Sequence, residues 1–238
     1  MIILIKTIME DNMTHISIFL VGDSTVSNYD ESVAPRKGWG QVFGKFLDED
    51  VTIYNQARSG RSSKSFIHEG HLSEVERLIQ AGDYLLIQFG HNDSKPDKAR
   101  ATEPFTSYQD YLRQYIKLAK DKHAFPILIT PVQRRSFNDD GHFYETHEDY
   151  PNAMKQIAQT SNVPLIDLTT MSRELYERLG PEESKKLFLW FKPGENDNYP
   201  GGIQDDTHFS THGANEIAKL IIQGLRSLDL PLTRYIKH

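Results

Sequence analysis

Five continuous apolar runs, rich in β-branched residues, constrain the fold of this chain more than any other sequence feature. They occupy residues 16–22, 51–57, 84–90, 125–131 and 164–168. Most are uninterrupted rather than alternating, which is typical of strands buried on both faces of a parallel sheet. Segments with helical periodicity lie between and after them, at residues 72–80, 107–123, 173–179 and 214–225. The pattern predicts an α/β fold, a three-layer sandwich with a central five-stranded parallel sheet and right-handed crossovers.

The composition narrows the classes of function open to the chain. Its 238 residues carry a formal net charge of −6, which argues against a general binder of nucleic acid. There are no cysteines, so disulfides, thiolate metal sites and cysteine nucleophiles are excluded. No run approaches the roughly 20 apolar residues of a membrane span. We therefore expect neither a nucleic-acid partner nor a membrane partner.

The N-terminal segment does not resemble a secretion signal. Its short apolar stretch is followed by Glu10 and Asp11, with no small-residue cleavage site. Met13 lies just before the first predicted strand and could be the natural start. No internal repeat or linker-like stretch divides the rest of the chain. We predict an N-terminal extension at residues 1–14, a single domain at residues 15–238, and a cytoplasmic location.

Polar segments of unusual composition follow the first four predicted strands. They read GDST after the first strand, NQARSGRSS after the second, GHND after the third and TPVQRR after the fourth. In open parallel sheets, sites form in the crevice beyond the carboxyl ends of the strands. We therefore expect these four loops to converge on one site.

The first three loops offer the parts of a serine-dependent acyl-transfer site. Ser24 is expected at the start of a short helix, where its own N–H points outward beside any carbonyl that it attacks. Gly60 can bring a second N–H close to a ligand, and Asn92 can aim its amide at the same point. His91 or Asp93 could hold the third loop. Each candidate also has an ordinary alternative: a helix-capping serine, a turn glycine and an Asx-turn asparagine.

A candidate general base lies far downstream, in the segment QDDTHFSTHGA. Asp205 and His208 are three positions apart there, and a tight turn can hydrogen-bond the carboxylate to one imidazole nitrogen. Such a bond fixes the tautomer and leaves Nε2 free to take the serine proton. The neighbouring Asp206 competes for the orienting role, and spacing alone does not separate the two. The structural alternative for His208 is a histidine on a surface loop.

The same segment also allows a metal-dependent deacetylase. His208 and His212 are four positions apart, a spacing that faces both rings the same way on a helix, and an aspartate could complete a zinc site. A helix N-cap at Ser210 or Thr211 would instead put His212 in the first turn, with His208 before it. The metal hypothesis leaves the serine and asparagine loops unused. We therefore predict a site without metal or cofactor.

Taken in order, GDST, Gly60, GHND and DDTH resemble the four sequence blocks of the SGNH (GDSL-type) hydrolases. The resemblance implies the flavodoxin-like fold of that family. It also implies that Ser24 is the nucleophile, His208 the base and Asp205 the residue that orients the base. The oxyanion hole would consist of the N–H groups of Ser24 and Gly60 and the side-chain amide of Asn92.

Longer motifs narrow the resemblance to the rhamnogalacturonan acetylesterase branch. They are GDSTVS, GWGQ, NQARSGRS, FGHND, TPVQRR and PGGIQDDTHFSTHGA. Enzymes of that branch remove acetyl groups from galacturonate residues of pectin, so the resemblance implies an acetylated, acidic oligosaccharide as the substrate. Another acetylated carbohydrate, such as xylan, is an alternative substrate for the same site. A non-catalytic sugar-binding module on the same fold is a third hypothesis.

Several side chains near the predicted site would suit such a substrate. Arg134 and Arg135 follow the fourth strand and Arg61 flanks the glycine of the second loop. An arginine fork is a good partner for a carboxylate. Trp190 and Tyr199 lie in a Gly- and Pro-rich segment shortly before the candidate histidine, where they could stack on a sugar. The alternatives are solvated surface arginines and a small local core under a long loop.

Overall fold

The computed structural model describes residues 15–237 of the chain. Its centre is a five-stranded parallel sheet with the order β2–β1–β3–β4–β5. The strands are β1 Ile16–Gly22, β2 Val51–Asn55, β3 Tyr84–Gln88, β4 Phe125–Ile129 and β5 Leu165–Ile166. The predicted α/β fold with a central five-stranded parallel sheet is confirmed. β2, β3, β4 and β5 each end two residues before the predicted limit, and β5 also begins one residue later than predicted.

Helices cover both faces of the sheet. They are α1 Trp39–Val42, α2 Ser63–His68, α3 His71–Leu78, α4 Gln109–Asp121, α5 Tyr150–Ser161, α6 Leu168–Glu183 and α7 Thr211–Ser227. The four predicted helical stretches correspond to α3, α4, α6 and α7. The sequence pattern does not predict α2, which is a short helix of six residues. It also misses α5, whose buried stripe includes alanines with little hydrophobic signal.

Strand β1 shows why the molecule has three layers. Its residues Ile18 and Leu20 belong to one hydrophobic core, whereas Phe19 and Val21 belong to another. Side chains of α1, α6 and α7 contribute to the first core, and side chains of α2 to α5 contribute to the second. Because successive side chains of a strand point to opposite faces, a strand buried on both faces must be apolar throughout.

An antiparallel hairpin, β6 Phe188–Phe191 and β7 Ile203–Phe209, lies outside the central sheet. The sequence indicates a long loop with a tight turn in this region, and the structure corrects that interpretation. Aromatic residues suit a half-buried strand. The two strands are separated by a Pro- and Gly-rich connection at 192–202, so no short-range sequence signal predicts that they pair. Phe188 and Phe209 are paired in the hairpin and are buried in the first core, with ring centroids 5.3 Å apart.

The predicted extension at residues 1–14 lies outside the described residues, so it stays a prediction together with the domain that follows it. Among the helices of residues 15–237, none combines the length and the hydrophobicity that crossing a membrane requires.

Helix α7 begins at a close contact with the segment that precedes the hairpin. Ser210 caps the helix, accepting a hydrogen bond from the Gly213 N–H at 3.2 Å, and its hydroxyl donates to the Lys186 carbonyl at 2.9 Å. A Cβ atom on Gly213 would lie 1.8 Å from the Leu187 carbonyl oxygen. Only glycine allows this approach, which fixes the start of α7 directly after strand β7.

We expect Gly213→Ala to lower the free energy of unfolding by roughly 2 kcal/mol or more, because the added methyl group meets backbone rather than a flexible side chain. Urea unfolding followed by circular dichroism measures the change. Gly44→Ala is the matched control, since a Cβ there meets only Ile53 Cγ1 at 3.5 Å. A Gly213→Ala protein as stable as the Gly44→Ala protein would contradict the packing described here.

Candidate active site

A cavity of about 300 Å³ lies where the strands of the central sheet end. Its lining comes from the loops after β1, β2, β3 and β4, from the segment before α1 and from β7. The lining residues are Ser24, Arg36, Ser59, Gly60, His91, Asn92, Lys95, Arg134, Thr207 and His208. The structure therefore brings Ser24, Gly60, Asn92 and His208 around one space, although they are distant in the sequence.

A larger groove, of about 930 Å³, lies against the hairpin and contains none of those four residues. Trp190, Phe191 and the neighbouring lysines line it. Chemistry requires reactive groups that point at one place, and these groups line the smaller cavity. The smaller cavity is therefore the candidate active site.

Ser24 is held in a tight turn after β1 and not, as expected from the sequence, at the start of a helix. The Asp23 carbonyl accepts hydrogen bonds from the N–H groups of Val26 and Ser27, both at 3.2 Å. The Asp23 carboxylate accepts a further bond from the Thr25 N–H at 2.9 Å. Within residues 15–237 the Ser24 N–H has no acceptor, so it is available to a ligand. The turn thus fixes the serine without using its own donor.

Gly60 follows β2 in a turn that needs a left-handed backbone. Its φ angle is 80°, and the turn is closed by the Arg61 N–H, which donates to the Arg58 carbonyl at 3.3 Å. A Cβ atom on Gly60 would meet nothing within 4 Å, so the backbone angle, rather than the available space, favours glycine. The Gly60 N–H also finds no acceptor in the described part of the chain. It is a second free main-chain donor on a residue that lines the cavity.

Asn92 is anchored by one of its two amide protons. Its Nδ2 atom donates to the Arg61 carbonyl at 3.0 Å, which leaves the second N–H without a protein acceptor in residues 15–237. Asp93 fixes the same loop, because its buried carboxylate accepts a hydrogen bond from the Ser63 N–H at 3.1 Å. Burial raises the pKa of Asp93 to about 7, against the opposing effect of the hydrogen bonds from Ser63 and Thr102. The loops after β2 and β3 are therefore tied to each other.

Asp205 and His208 form the expected hydrogen-bonded pair, in a bulge of strand β7. The strand register passes from Phe209 to Asp205 across adjacent partners on β6, so the residues between them bulge out. The Asp205 carboxylate accepts the N–H groups of Thr207 at 2.8 Å and His208 at 2.9 Å. Its other oxygen lies 2.7 Å from His208 Nδ1. This bond occupies Nδ1 and leaves Nε2 as the free ring nitrogen of a cavity-lining residue.

The charge of Asp205 is stabilised by the same bulge. Burial acts to raise its pKa, but the hydrogen bonds and charge of His208, with the N–H of Thr207, outweigh burial and lower the pKa to about 2. A carboxylate with a lowered folded-state pKa contributes stability above the unfolded value, and this contribution is lost as the pH falls toward 2. Asp205 is therefore ionised beside the imidazole throughout the neutral range.

Asp206, the competing aspartate, has a different set of partners. Its carboxylate accepts hydrogen bonds from Arg135 Nη1 and from Trp190 Nε1, both at 2.8 Å. Arg135 is buried, so this ion pair compensates a charge that burial would otherwise make costly. The structure thus separates the two neighbouring carboxylates: Asp205 contacts the histidine and Asp206 contacts the arginine.

Ser24 and His208 line the same cavity but are not hydrogen-bonded to each other in this structure. Catalytic hydrogen bonds are often long before a substrate is bound. The second histidine, His212, lies in the first turn of α7, whereas His208 lies in β7. The two rings are therefore not on successive turns of one helix, and the spacing argument for a zinc site does not hold. The catalytic roles of all these residues stay predictions.

The structure separates the five predicted substrate-binding side chains. Arg134 lines the cavity, whereas Arg61, Arg135, Trp190 and Tyr199 do not. Arg61 pairs with Glu69 at 2.7 Å, and Arg135 is buried against Asp206. The Tyr199 hydroxyl donates to the Val33 carbonyl at 2.9 Å and its ring stacks on Phe191, as in the alternative of a small local core.

Sequence reasoning missed Arg36, Lys95, Ser59 and Thr207 as lining residues. Arg36 precedes α1, away from the strand ends that the sequence singles out, and its guanidinium lies 4.3 Å from the ring centre of Tyr29. Lys95 follows the GHND block by two positions. The sequence signal for Lys95 is its position in the loop after β3, which is already assigned to the site. No sequence signal identifies Arg36.

A family model described as GDSL-like lipase/acylhydrolase matches residues 18–221. The chain belongs to this family, and the predicted membership of the SGNH (GDSL-type) hydrolases is confirmed. It is a carboxylic ester hydrolase by that membership and by its named relatives. The rhamnogalacturonan acetylesterase RhgT of Bacillus subtilis is 49% identical over 221 residues, which cover 93% of this chain and 94% of that protein.

The chain is also similar to more distant proteins, in sequence or in structure. The rhamnogalacturonan acetylesterase of Emericella nidulans is 26% identical, over 88% of this chain and 84% of that protein. The crystal structure of Bacillus subtilis YxiM matches with a TM-score of 0.77 and 28% identity, over 92% of this chain and 58% of that one. The acetyl-xylooligosaccharide esterase Axe2 from Geobacillus matches with a TM-score of 0.60 over 94% of this chain and 98% of that one. At 16% identity, the likeness to Axe2 shows the fold alone.

We predict that Asp205→Asn lowers kcat by roughly 10² to 10⁴, because the neutral amide stabilises neither the required tautomer nor a charged imidazole. KM should change little. Steady-state kinetics on a small acetate ester measure both constants.

Asp206→Asn is the matched control, since it makes the same chemical change one residue further along. It should lower the free energy of unfolding, because Arg135 loses its charged partner, while the folded enzyme keeps kcat within about tenfold of the wild type. If folded Asp205→Asn and Asp206→Asn proteins lost kcat equally, the assignment of Asp205 to the histidine and Asp206 to the arginine would be contradicted.

Proposed function

We propose that this protein is a serine esterase that removes O-acetyl groups from acetylated rhamnogalacturonan oligosaccharides. The observation that carries the proposal is the single cavity lined by Ser24, Gly60, Asn92 and His208, with Asp205 bound to the imidazole. The identity of 49% to RhgT, over nearly the whole of both chains, supports the choice of substrate.

In the proposed first step His208 Nε2 accepts the proton of the Ser24 hydroxyl as the oxygen attacks the acetyl carbonyl. The carbonyl π electrons move to oxygen, and the new oxyanion meets the N–H groups of Ser24 and Gly60 and the free N–H of Asn92. These donors have no other acceptor within residues 15–237, which supports their assignment. Loss of one such donor typically costs 10² to 10³ in kcat.

Collapse of the tetrahedral intermediate breaks the bond to the sugar oxygen, which leaves with the proton held by His208. A water molecule then gives a proton to the same imidazole as its oxygen attacks the acetyl-serine. The second tetrahedral intermediate breaks the bond to the Ser24 oxygen and releases acetate, and His208 returns the proton to that oxygen. Asp205 stabilises the imidazolium that forms in each half of the reaction. Apart from the ester and the water molecule, these steps use only side chains and main-chain N–H groups of the chain.

The charges of the cavity support an acidic substrate. Arg36, Lys95 and Arg134 line it, and none has a carboxylate within ion-pair distance in the described part of the chain. The buried Nε atom of Arg36 and the ammonium group of Lys95 have no hydrogen-bond partner there. Elsewhere in the same chain many lysines and arginines do pair with a carboxylate. Cations left uncompensated around a site attract anionic ligands, and arginine suits a carboxylate well.

Acetate release from a panel of substrates tests the proposed activity. We expect kcat/KM to be at least tenfold higher for acetylated rhamnogalacturonan oligosaccharides than for acetylated xylan oligosaccharides or a simple acetate ester. Ser24→Ala should remove nearly all turnover on every substrate, since it removes the oxygen that carries the acetyl group in the proposed mechanism.

The outcomes of this experiment are separable. A preference for acetylated xylan would overturn the substrate and leave the serine mechanism in place. Ser24→Ala protein that retained near-wild-type turnover would overturn the mechanism itself.

We also predict that Lys95→Gln raises KM for the acidic oligosaccharide roughly tenfold, the equivalent of one charge-assisted contact. The rate with a neutral acetate ester should stay within about twofold. Lys98→Gln is the matched control. It removes the same charge three residues further along the chain, from a side chain that does not line the cavity. Equal effects of Lys95→Gln on acidic and neutral esters would contradict a carboxylate contact.

A further inference from the structure

A second aspartate–histidine pair, which is almost fully buried, lies at the wall of the candidate active site, where His91 is one of the lining residues. Asp23 is fully buried, and its Oδ2 atom has no hydrogen-bond partner among the described residues. His91 is 3% exposed, and its Nδ1 atom lies 3.6 Å from Asp23 Oδ2. Both ring nitrogens of His91 are also buried and without partners in residues 15–237. The proposed acyl-transfer steps use neither residue.

The Asp23 carboxylate is fixed in orientation by a chain of buried hydrogen bonds. Its Oδ1 atom accepts bonds from the Thr25 N–H at 2.9 Å and from the Thr25 hydroxyl at 2.8 Å. That hydroxyl accepts a bond from Gln88 Nε2 at 2.7 Å, and Gln88 Oε1 accepts one from Trp39 Nε1 at 2.8 Å. Rotating the carboxylate would break this chain. Oδ2 is therefore held toward His91.

His91 is held from its other side. Its ring packs edge-on against His147, with centroids 4.4 Å apart and an interplanar angle of 71°. Its carbonyl accepts a hydrogen bond from Arg134 Nη2 at 3.1 Å. The titratable and charged groups that influence the His91 ring are Asp23, His147, Arg134, His208 and Lys95.

Burial, with the positive charges nearby, holds the pKa of His91 well below its usual range. Burial also raises the pKa of Asp23, although the hydrogen bonds from Thr25 oppose this. A neutral imidazole has one N–H to place, on either Nδ1 or Nε2. Leaving the Asp23 oxygen without a donor costs the desolvation penalty of a buried acceptor. A proton on Nδ1 removes that cost after a movement of about half an ångström.

We propose that His91 is a positioning residue, which donates its Nδ1–H to Asp23 Oδ2 and so couples the loop of Ser24 to the loop of Asn92. Asp23 directly precedes Ser24 and His91 directly precedes Asn92. The bond therefore sets the separation between two of the three proposed oxyanion donors. The catalytic part of this inference rests on the proposed function, whereas the hydrogen bond itself does not.

The first experiment compares His91→Asn with His91→Gln. The amide of asparagine can reach the position of Nδ1, whereas that of glutamine extends to the position of Nε2. We expect His91→Asn to keep kcat within about fivefold of the wild type and His91→Gln to lose roughly 10- to 100-fold, with KM unchanged in both. His147→Asn is the control for loss of packing around the ring, and we expect it to lower stability more than kcat. Equal losses of kcat in the two folded His91 variants would overturn the proposal.

The second experiment observes the bond without turnover. Long-range ¹H–¹⁵N NMR spectra of protein labelled at histidine report the tautomer of each ring. We expect His91 to be neutral and protonated at Nδ1 between pH 5 and pH 8, in the wild type and in Ser24→Ala. In Asp23→Asn the ¹⁵N chemical shift of His91 Nδ1 should change, while the signals of His208 should respond to pH as they do in the wild type. A His91 ring protonated at Nε2, or titrating within that range, would overturn the proposal.

The two failures are distinguishable. If Ser24→Ala remains active, the proposed function fails, whatever tautomer His91 adopts. If Ser24→Ala is inactive and His91 carries its proton on Nε2, the esterase mechanism stands and the positioning bond does not exist.

Discussion

The parallel pairing of β1 with β2 on one side and β3 on the other is the constraint on which the site depends. Leu20 is in register with Asn55, and Gly22 with Gln88, so the three strands end at the same edge of the sheet. Ser24, Gly60 and Asn92 follow those ends within a few residues. An antiparallel arrangement would send alternate loops to opposite edges. The direction of the strands therefore decides that a serine and the two other candidate donors can line one cavity.

The histidine reaches this edge by a different route. It lies on the hairpin of β6 and β7, outside the central sheet, and the hairpin is attached through Arg135, which follows β4. The Arg135 N–H donates to the Asp206 carbonyl at 2.8 Å, and its guanidinium pairs with the Asp206 carboxylate. The indole N–H of Trp190 donates to the same carboxylate. The Arg135 guanidinium lies over the Trp190 ring, 5.0 Å from its centroid. Residues that the sequence suggests for sugar binding thus secure the strand that carries His208.

Much of this arrangement is predictable from the sequence, because its signals are local. Continuous apolar runs identify β1 to β5, and the polar block after a strand points to Ser24 and Asn92. The pairing of Asp205 with His208 follows from a spacing of three residues. The hairpin is not predictable in this way, since its two strands pair across a long Pro- and Gly-rich connection. Arg36 is equally hidden, because its position beside the cavity depends on how distant segments pack around Tyr29.

The anchoring of Asn92 to the Arg61 carbonyl has a consequence for how the site tolerates change. The amide rotamer is selected when the chain folds, so its conformational entropy is already lost before any ester arrives. In the proposed mechanism the electrostatic environment then needs no reorganisation as negative charge develops on the oxygen. The orientation of this dipole is set by a main-chain atom of the neighbouring loop. Insertions or turn substitutions at residues 58–62 could therefore alter turnover while every side chain of the cavity stays the same.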